Sequence, residues 1–317
     1  MFSTLLGALP IDPPGAAHAD DEAEARLDDV AALDATGLEL ISDGGAPAAP
    51  ADAPATVVAR WVSASAASSS PVKAVLLGPF SAARSAGRGA TGRGATGRGA
   101  APSADELADQ LRPTIAALAA AGCILVEIAE PDAAAIATDS SAAGTFAAAH
   151  ARLIDGSEGI HASLALPPGN LDGTPPAVLF DLAYASYAFD LIGGPDNWRL
   201  IVQAPADRGI VCGAQGLLPG TDTNREVLVW AAHYAASTNG RGLARVGLAN
   251  APLAPSDPPP SRSEVLRRLA ILAEASRIAA VESAEEMSRL LDPRAVDIRS
   301  AAMGRYAPAR RRARPGQ

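Results

Sequence analysis

Short apolar runs alternate with longer segments of helical periodicity along most of this chain. The runs have the length of buried strands, and the segments between them have the spacing of amphipathic helices. The predicted strands are Thr4–Leu9, Leu38–Ser42, Val72–Leu77, Ile124–Ile128, Ile160–Leu166, Ala177–Phe180, Gly209–Cys212 and Arg245–Leu248. The predicted helices are Ala19–Leu33, Ser103–Ala121, Thr138–Ile154, Tyr184–Ile192, Asn224–Ser237 and Ser261–Ala280. This order predicts the α/β class and a (β/α)8 TIM barrel, with functional residues at the carboxyl ends of the strands.

Three segments fall outside this regular order. The apolar run Thr56–Val62 does not fit an eightfold count, and we interpret it as a hairpin or an insert. The segment Gly87–Ala100 repeats GRGAT, and its glycine content predicts a disordered, solvated loop. Beyond a single barrel over residues 1–281, we expect a C-terminal helix and a disordered basic tail over residues 282–317, with Arg310, Arg311, Arg312 and Arg314.

Composition and charge narrow the classes of partner. The 317 residues carry 35 acids and 26 bases, a net charge of −9, which disfavours a surface for nucleic acid or anionic membranes. No apolar stretch approaches the roughly 20 residues of a membrane span. We therefore expect a soluble, cytoplasmic protein with a small-molecule ligand and neither nucleic acid nor membrane as partner; the sequence leaves the oligomeric state open. The two cysteines, Cys123 and Cys212, cannot by themselves form a disulfide framework or a cysteine-based zinc cluster.

Candidate chemistry rests on polar residues near the ends of predicted strands. The sequence has no P-loop, GxGxxG, GxSxG or HExxH motif. The polar residues at these positions are Asp43, Glu127, Glu130, His161, Ser163, Asp181 and Asn250. Any one of them alone is more typical of a structural hydrogen bond. Taken together, they indicate a site at the rim where a barrel carries its chemistry.

Seven segments also resemble the motifs of a known family, in the same order from Phe2 to about Ala280. They read FSTLLGALP, LELISDGG, VLLGPFS, LAAAGCILVEIAEPDA, IHASLAL, VLFDLAYASY and RVGLANAP. The sequence resembles the single-barrel cobalamin-independent methionine synthases, and the AGC and EP pairs of the fourth segment are the most specific match. The resemblance implies a methionine synthase/uroporphyrinogen decarboxylase-like barrel without cobalamin.

The resemblance also implies a metal site, which this sequence alters. In the family a zinc ion held by His, Cys, Glu and Cys ionises the homocysteine thiol, as a borderline-soft metal can. The corresponding positions here are His161, Ser163, Asp181 and Asn250. Because both cysteines are replaced, the resemblance implies a degenerate, weak site formed by His161 and Asp181, and it argues against zinc. A folate remains the implied methyl donor, with Asp43 and Ser81 as the implied cofactor-binding residues.

The implied amino-acid site is altered as well. The acid of the family's DGE motif is Gly45 here, and the aspartate of its IDEP motif is Ala129, which leaves Glu130. Loss of two carboxylates argues against homocysteine as the substrate. One hypothesis is one-carbon or methyl transfer to another acceptor, with Glu130, His161 and Asp181 as catalytic residues. The alternative is a metal-free pseudoenzyme or small-molecule-binding barrel, and a third reading is a methionine synthase whose ligands are misaligned.

Overall fold

Eight parallel strands form the centre of the molecule within the part of the chain that the computed structural model describes, namely residues 1–9, 19–90, 101–157, 159–254 and 257–291. The strands are β1 (Phe2–Thr4), β2 (Ile41–Ser42), β3 (Val72–Leu77), β4 (Leu125–Ala129), β5 (His161–Ala165), β6 (Ser186–Asp190), β7 (Gly209–Gln215) and β8 (Val246–Asn250). They pair in the order β1-β8-β7-β6-β5-β4-β3-β2, and a parallel bridge between Thr4 and Leu40 joins the two edges. The predicted barrel is confirmed.

Helices surround this sheet. They are α1 (Ala19–Asp34), α2 (Pro54–Ala67), α3 (Pro79–Ala90), α4 (Ala104–Ala120), α5 (Ser140–Ile154), α6 (Pro176–Phe180), α7 (Trp198–Ile201), α8 (Arg225–Ser237), α9 (Arg262–Ala279) and α10 (Ala284–Leu291). Helix α4 begins at a capping box in which Ser103 and Glu106 bond each other's backbone amides, as its sequence predicted. None of the described helices is long and apolar enough to cross a membrane.

The sequence prediction is wrong for the segment around the sixth strand. Ala177–Phe180, predicted as a strand, lies in helix α6, because Pro175 and Pro176 favour the start of a helix. The predicted helix Tyr184–Ile192 instead contains strand β6. Tyr187 and Phe189 alternate with smaller residues there, which is the period of a strand and not of a helix.

Two further expectations need correction. The run Thr56–Val62 is neither a hairpin nor an insert but the body of helix α2, whose Val57 and Trp61 are buried one helical turn apart. Residues Gly87–Ala90, predicted to be disordered, form the last turn of α3, and Arg88 forms a 2.6 Å ion pair with Asp132. The rest of the repeat, residues 91–100, and the predicted basic tail beyond α10 lie outside the described residues.

The register of the strands determines which side chains fill the barrel. Glu127 pairs with Ser163, which pairs with Ser186, so these three side chains point to one side of the sheet. The apolar part of the interior is a separate cluster of Leu6, Ala165, Ala188, Val211 and Ala249 with Phe2 packed against it. Most of these residues are small. The interior therefore has room for a cavity at its carboxyl-terminal end.

Candidate functional site

A cavity of about 220 Å³ opens at the carboxyl-terminal end of the barrel. Its wall is largely apolar, and Glu127 is a charged residue within it, placed in the middle of β4. The other lining residues are Leu6, Gly7, Ala8, Pro47, Ala129, Glu130, Pro131, Ala165, Leu166, Leu217, Asn250, Pro252 and Leu253. Sites for drug-sized ligands are larger, about 300–1,000 Å³, so this volume fits a small molecule.

Glu127 is held by the single lysine of the sequence. Lys73, the second residue of β3, has 1% of its side chain exposed and donates to the carbonyl oxygen of Leu5 at 2.6 Å and to Glu127 Oε2. The other carboxylate oxygen, Oε1, has one long contact among the described residues, 3.5 Å from the amide nitrogen of Gly7. Because Gly7 also lines the cavity, Oε1 is the carboxylate atom that can accept a hydrogen bond from a ligand.

Glu130, one of the predicted catalytic residues, also lines the cavity but has structural partners. Its carboxylate is fully buried and accepts from the amide nitrogens of Phe80 at 3.0 Å and Ser81 at 2.7 Å. These are the second and third residues of α3, so Glu130, which directly follows β4, caps the amino-terminal end of that helix. A Cβ on Gly78 would lie 2.1 Å from Glu130 Oε1, so glycine is required before α3. The GPFS and AEPD motifs therefore form one structural unit.

A buried histidine completes this unit. His150 of α5 lies with Nε2 2.9 Å from Glu130 Oε1 and Nδ1 2.7 Å from the hydroxyl of Tyr184. Burial raises the pKa of Tyr184 well above its ordinary value, so its hydroxyl stays protonated and donates to Nδ1. In that tautomer, Nε2 carries the ring proton and donates it to Glu130 Oε1. Sequence analysis did not single out His150, which lies in the interior of a helix; its spacing from Phe146 along one buried face was the available signal.

Asn250, at the end of β8, uses its amide group within the protein. Its Oδ1 accepts from the amide nitrogen of Leu6 at 2.8 Å, and its Nδ2 donates to the carbonyl oxygens of Leu6 and Ala251, each at 3.1 Å. The side chain therefore joins the first and last strands of the barrel. Both protons of Nδ2 are engaged, so Asn250 has no donor left for a ligand, and Glu127 Oε1 is a charged acceptor at the cavity.

A second cavity of about 440 Å³ adjoins the first and shares Leu217, Pro252 and Leu253 with it. Its polar edge includes Asp190, the last residue of β6, whose carboxylate accepts from the amide nitrogens of Gly169, Ile192 and Gly193 at 2.8–2.9 Å. Asp190 thus fixes two loops at the mouth of the barrel. The carboxyl-terminal end of the barrel therefore has two adjoining cavities, which can hold two small molecules or two parts of one ligand side by side.

Two predicted site residues lie at the other end of the barrel. His161 is the first residue of β5 and its Nε2 lies 2.8 Å from the hydroxyl of Ser186, the first residue of β6. Asp181 follows helix α6, is solvent-exposed and precedes β6. A strand rises about 3.3 Å per residue, so His161 lies roughly 13 Å below the carboxyl end of β5. The expectation that these residues lie at the carboxyl ends of strands was wrong. His161 lies at the start of its strand, both as predicted and in the structure, and Asp181 was misplaced because a strand was predicted at Ala177–Phe180.

The residues at the implied zinc positions do not fit a zinc ion. His161 and Asp181 lie towards the amino-terminal end, Asn250 lies at the carboxyl-terminal end, and Ser163 lies midway along β5. Zinc ligands must lie about 2.0–2.3 Å from the ion, which these positions cannot do together. Within the described ranges, no three His, Cys, Asp or Glu side chains are grouped closely enough to hold a metal.

The two cysteines and the two implied cofactor-binding residues do not line the cavity. Cys123 and Cys212 are buried, and burial raises the pKa of the Cys212 thiol to about 12, so it stays protonated. Ser81 donates its amide to Glu130, and its hydroxyl accepts from the amide nitrogen of Asp132 at 3.0 Å. Asp43 is buried against Arg60 of α2, on the outer side of the barrel wall.

Solved structures share this fold. A B12-independent methionine synthase from Shewanella sp. W3-18-1, in complex with selenomethionine, superposes with a TM-score of 0.65 and 12% sequence identity over 87% of this chain and 96% of that chain. A putative vitamin-B12-independent methionine synthase from Listeria monocytogenes gives a TM-score of 0.57 and 12% identity over 84% and 91% of the two chains. No protein-family model and no curated protein sequence matches this chain. At this identity the likeness establishes the barrel fold.

Proposed function

We propose that this chain binds a small, mainly apolar molecule in the cavity at the carboxyl-terminal end of its barrel, where an N–H or O–H group of the ligand donates to Glu127 Oε1. The observation that carries the proposal is the arrangement of Glu127: Lys73 binds Oε2, while Oε1 has one long contact among the described residues and lies beside the cavity. A carboxylate hydrogen bond in a largely apolar wall orients a small ligand strongly.

The reaction class that we propose is one-carbon or methyl transfer to an acceptor other than homocysteine. The barrel fold shared with two methionine synthase structures supports this class. An acceptor amine or alcohol held at Glu127 Oε1 would pass its proton to the carboxylate as its nitrogen or oxygen takes the methyl group, and the donor nitrogen that loses the methyl group would take up a proton in its place. The adjoining cavity of about 440 Å³ supports the proposal that a folate-type donor binds beside the acceptor.

A second candidate is a barrel that binds its ligand without transferring a group. The hydrogen bonds of Glu130 and Asn250 favour it. Both side chains bind backbone groups of the barrel itself, so neither is left to take part in a reaction. Neither candidate uses His161 or Asp181, since both lie at the amino-terminal end.

The test measures ligand binding first and transfer second. Isobutylamine and isobutanol, with isobutane-like bodies and one donor group, are titrated calorimetrically into the wild type and into two variants. Ala165→Leu fills the cavity from its apolar wall. Lys73→Met/Glu127→Leu removes the carboxylate and its cation together, so that no charge is left buried alone.

We expect the wild type to bind at least one probe, the Ala165→Leu variant to lose that binding, and the Lys73→Met/Glu127→Leu variant to bind at least about tenfold more weakly. Incubation with a methyl-folate labelled in its methyl group then separates the candidates. Label found on the bound amine or alcohol supports methyl transfer, and binding with no transferred label identifies the binding-only barrel. Failure of both probes to bind, or equal binding by the Ala165→Leu variant, overturns the proposed function.

A further inference from the structure

A separate cavity of about 490 Å³ lies outside the barrel, between helices α1 and α2. Asp43 follows β2 directly and points outward, because Ser42 pairs with the inward-pointing Lys73 and side chains alternate along a strand. The cavity is lined by Ala23, Arg26, Leu27, Asp43, Asp52, Thr56, Val57, Ala59, Arg60, Ser63 and Ala64. It shares no lining residue with the cavity at the barrel mouth.

The ion pair between Arg60 and Asp43 in this cavity, which we call the α1–α2 groove, is formed through one hydrogen bond. Arg60 Nε donates to Asp43 Oδ2 at 2.7 Å, and Arg60 Nη1 donates to the carbonyl oxygen of Ala46 at 3.0 Å. The remaining atoms of the pair, Arg60 Nη2 and Asp43 Oδ1, are buried and have no hydrogen-bond partner among the described residues. Arginine and carboxylate groups commonly pair through two parallel hydrogen bonds. Here one bond is present, and the donor and acceptor of the second are both unpaired.

Unpaired buried polar atoms are costly, so a group that satisfies both of these atoms gains the free energy that their isolation costs. Such a group must present a hydrogen-bond donor to Asp43 Oδ1 and an acceptor to Arg60 Nη2. An amide whose N–H and C=O lie on the same edge has this arrangement. Cyclic amides and ureides hold that edge rigidly, which lowers the entropy lost on binding.

The charges of the groove favour a neutral ligand. Arg26 and Arg60 contribute two positive charges, and Asp43 and Asp52 contribute two negative charges. The Arg26 guanidinium has no hydrogen bond to any residue that the structure describes, and its aliphatic stem covers the Gly44–Gly45 turn, 3.3 Å from where a Cβ on Gly45 would lie. Because Asp43 Oδ1 and Arg60 Nη2 are shielded from solvent, a ligand reaches them only if a neighbouring side chain moves, and we assign that movement to the half-buried Arg26.

From these contacts we propose that the groove between α1 and α2 is a second ligand site, which binds a neutral cyclic amide or ureide through Asp43 Oδ1 and Arg60 Nη2. The ligand donates its N–H to the carboxylate and accepts from the guanidinium with its carbonyl oxygen. Arg26 closes over the bound ring.

Binding at this site depends on the ionisation of Asp43. Burial raises the pKa of Asp43 to about 6, although the neighbouring Arg60 and Arg26 oppose the shift. Above pH 6 the carboxylate is ionised and accepts the ligand's N–H. Below pH 6 it is protonated and accepts less well, so affinity for the ligand falls.

The probe is uracil, titrated calorimetrically at pH 7.5 and at pH 5. The matched ligand 1,3-dimethyluracil has nearly the same shape without an N–H donor, and acetate tests whether the groove takes any small anion. Ser63→Phe closes the exposed side of the groove without altering the ion pair, whereas Arg60→Lys keeps the charge and removes the planar fork. Ala165→Leu, which fills the barrel cavity, is the control that separates this site from the proposed function.

We expect the wild type and Ala165→Leu to bind uracil equally at pH 7.5, with about tenfold weaker binding at pH 5. We expect at least tenfold weaker binding of 1,3-dimethyluracil, and loss of uracil binding in Ser63→Phe and Arg60→Lys. Equal binding of 1,3-dimethyluracil, tighter binding of acetate, or loss of uracil binding in Ala165→Leu overturns the proposal. A protein that binds no uracil, with an ordered water bridging Asp43 and Arg60 in a crystal structure, also overturns it.

Discussion

Replacing Lys73 with methionine should destabilise the protein strongly, because it leaves the Glu127 carboxylate buried without its cation. The two side chains are 1% and 2% exposed, so water cannot take the place of the ammonium group. Removing one partner of such a buried pair costs about 3–5 kcal/mol. For a chain of this length, about 2 °C of melting temperature is lost per kcal/mol, so the melting temperature should fall by about 6–10 °C.

The same reasoning predicts that a second substitution restores most of this loss. Glu127→Leu alone leaves the Lys73 ammonium with the carbonyl oxygen of Leu5 as its remaining described partner and should cost a similar amount. Lys73→Met/Glu127→Leu removes both charges, and exchanging a whole buried pair for apolar side chains is often neutral or stabilising. The double variant should therefore be more stable than either single variant.

Urea denaturation of the four proteins in this cycle measures the coupling free energy. A double variant that is less stable than the wild type by the sum of the two single losses would refute the account of a mutually dependent pair. Single variants within about 1 kcal/mol of the wild type would refute it as well, because an exposed pair contributes only about that much.

Three further predictions concern other parts of the structure. The pKa of Asp43 is raised to about 6 from 3.8, which contributes about 3 kcal/mol to the free energy of unfolding below pH 4. This contribution is lost as the pH rises through 6. Asp43→Asn should therefore flatten the pH dependence of the unfolding free energy in urea titrations, and an unchanged pH profile would contradict this reasoning. Gly78→Ala places a Cβ 2.1 Å from Glu130 Oε1 and should destabilise the protein by about 2 kcal/mol or more. Gly144→Ala in α5 meets open space and should stabilise the protein by up to about 1 kcal/mol. Similar melting temperatures for the two variants would show that Glu130 does not need the glycine. His161→Ala should leave isobutylamine binding unchanged in calorimetry, because His161 lies at the opposite end of the barrel, and weaker binding would place His161 at the site after all.

The sequence was sufficient to predict the barrel and most of its elements. Helices α4, α5, α8 and α9 have side-chain caps at Ser103, Asp139, Asn224 and Ser261. Hydrogen bonds of this kind join residues that are close in sequence, so they can be predicted from one sequence. The sixth strand was mistaken because an apolar PAVLF segment suits a buried strand as well as a helix. The strand that follows, Ser186–Asp190, carries its aromatic residues with a period of two.

The site was harder to predict, because its key pair joins residues that are distant in sequence. Lys73 and Glu127 are 54 positions apart, and they meet only because β3 and β4 pair in a particular register. Each is the single charged residue of an otherwise apolar strand, a pattern that predicts a buried partner before the partner is known. Glu130 was singled out, yet its role in capping α3 depends on a helix 50 residues earlier in the chain.

The binding of isobutylamine to the wild type and to the Lys73→Met/Glu127→Leu variant tests the central claim most directly. Both proteins are expected to be folded, so the comparison isolates the carboxylate at the base of the cavity. A hydrogen bond to a charged group contributes about 1.5–3 kcal/mol, so the variant should bind at least about tenfold more weakly. Equal dissociation constants for the two proteins would contradict the claim that Glu127 anchors a ligand at the mouth of the barrel.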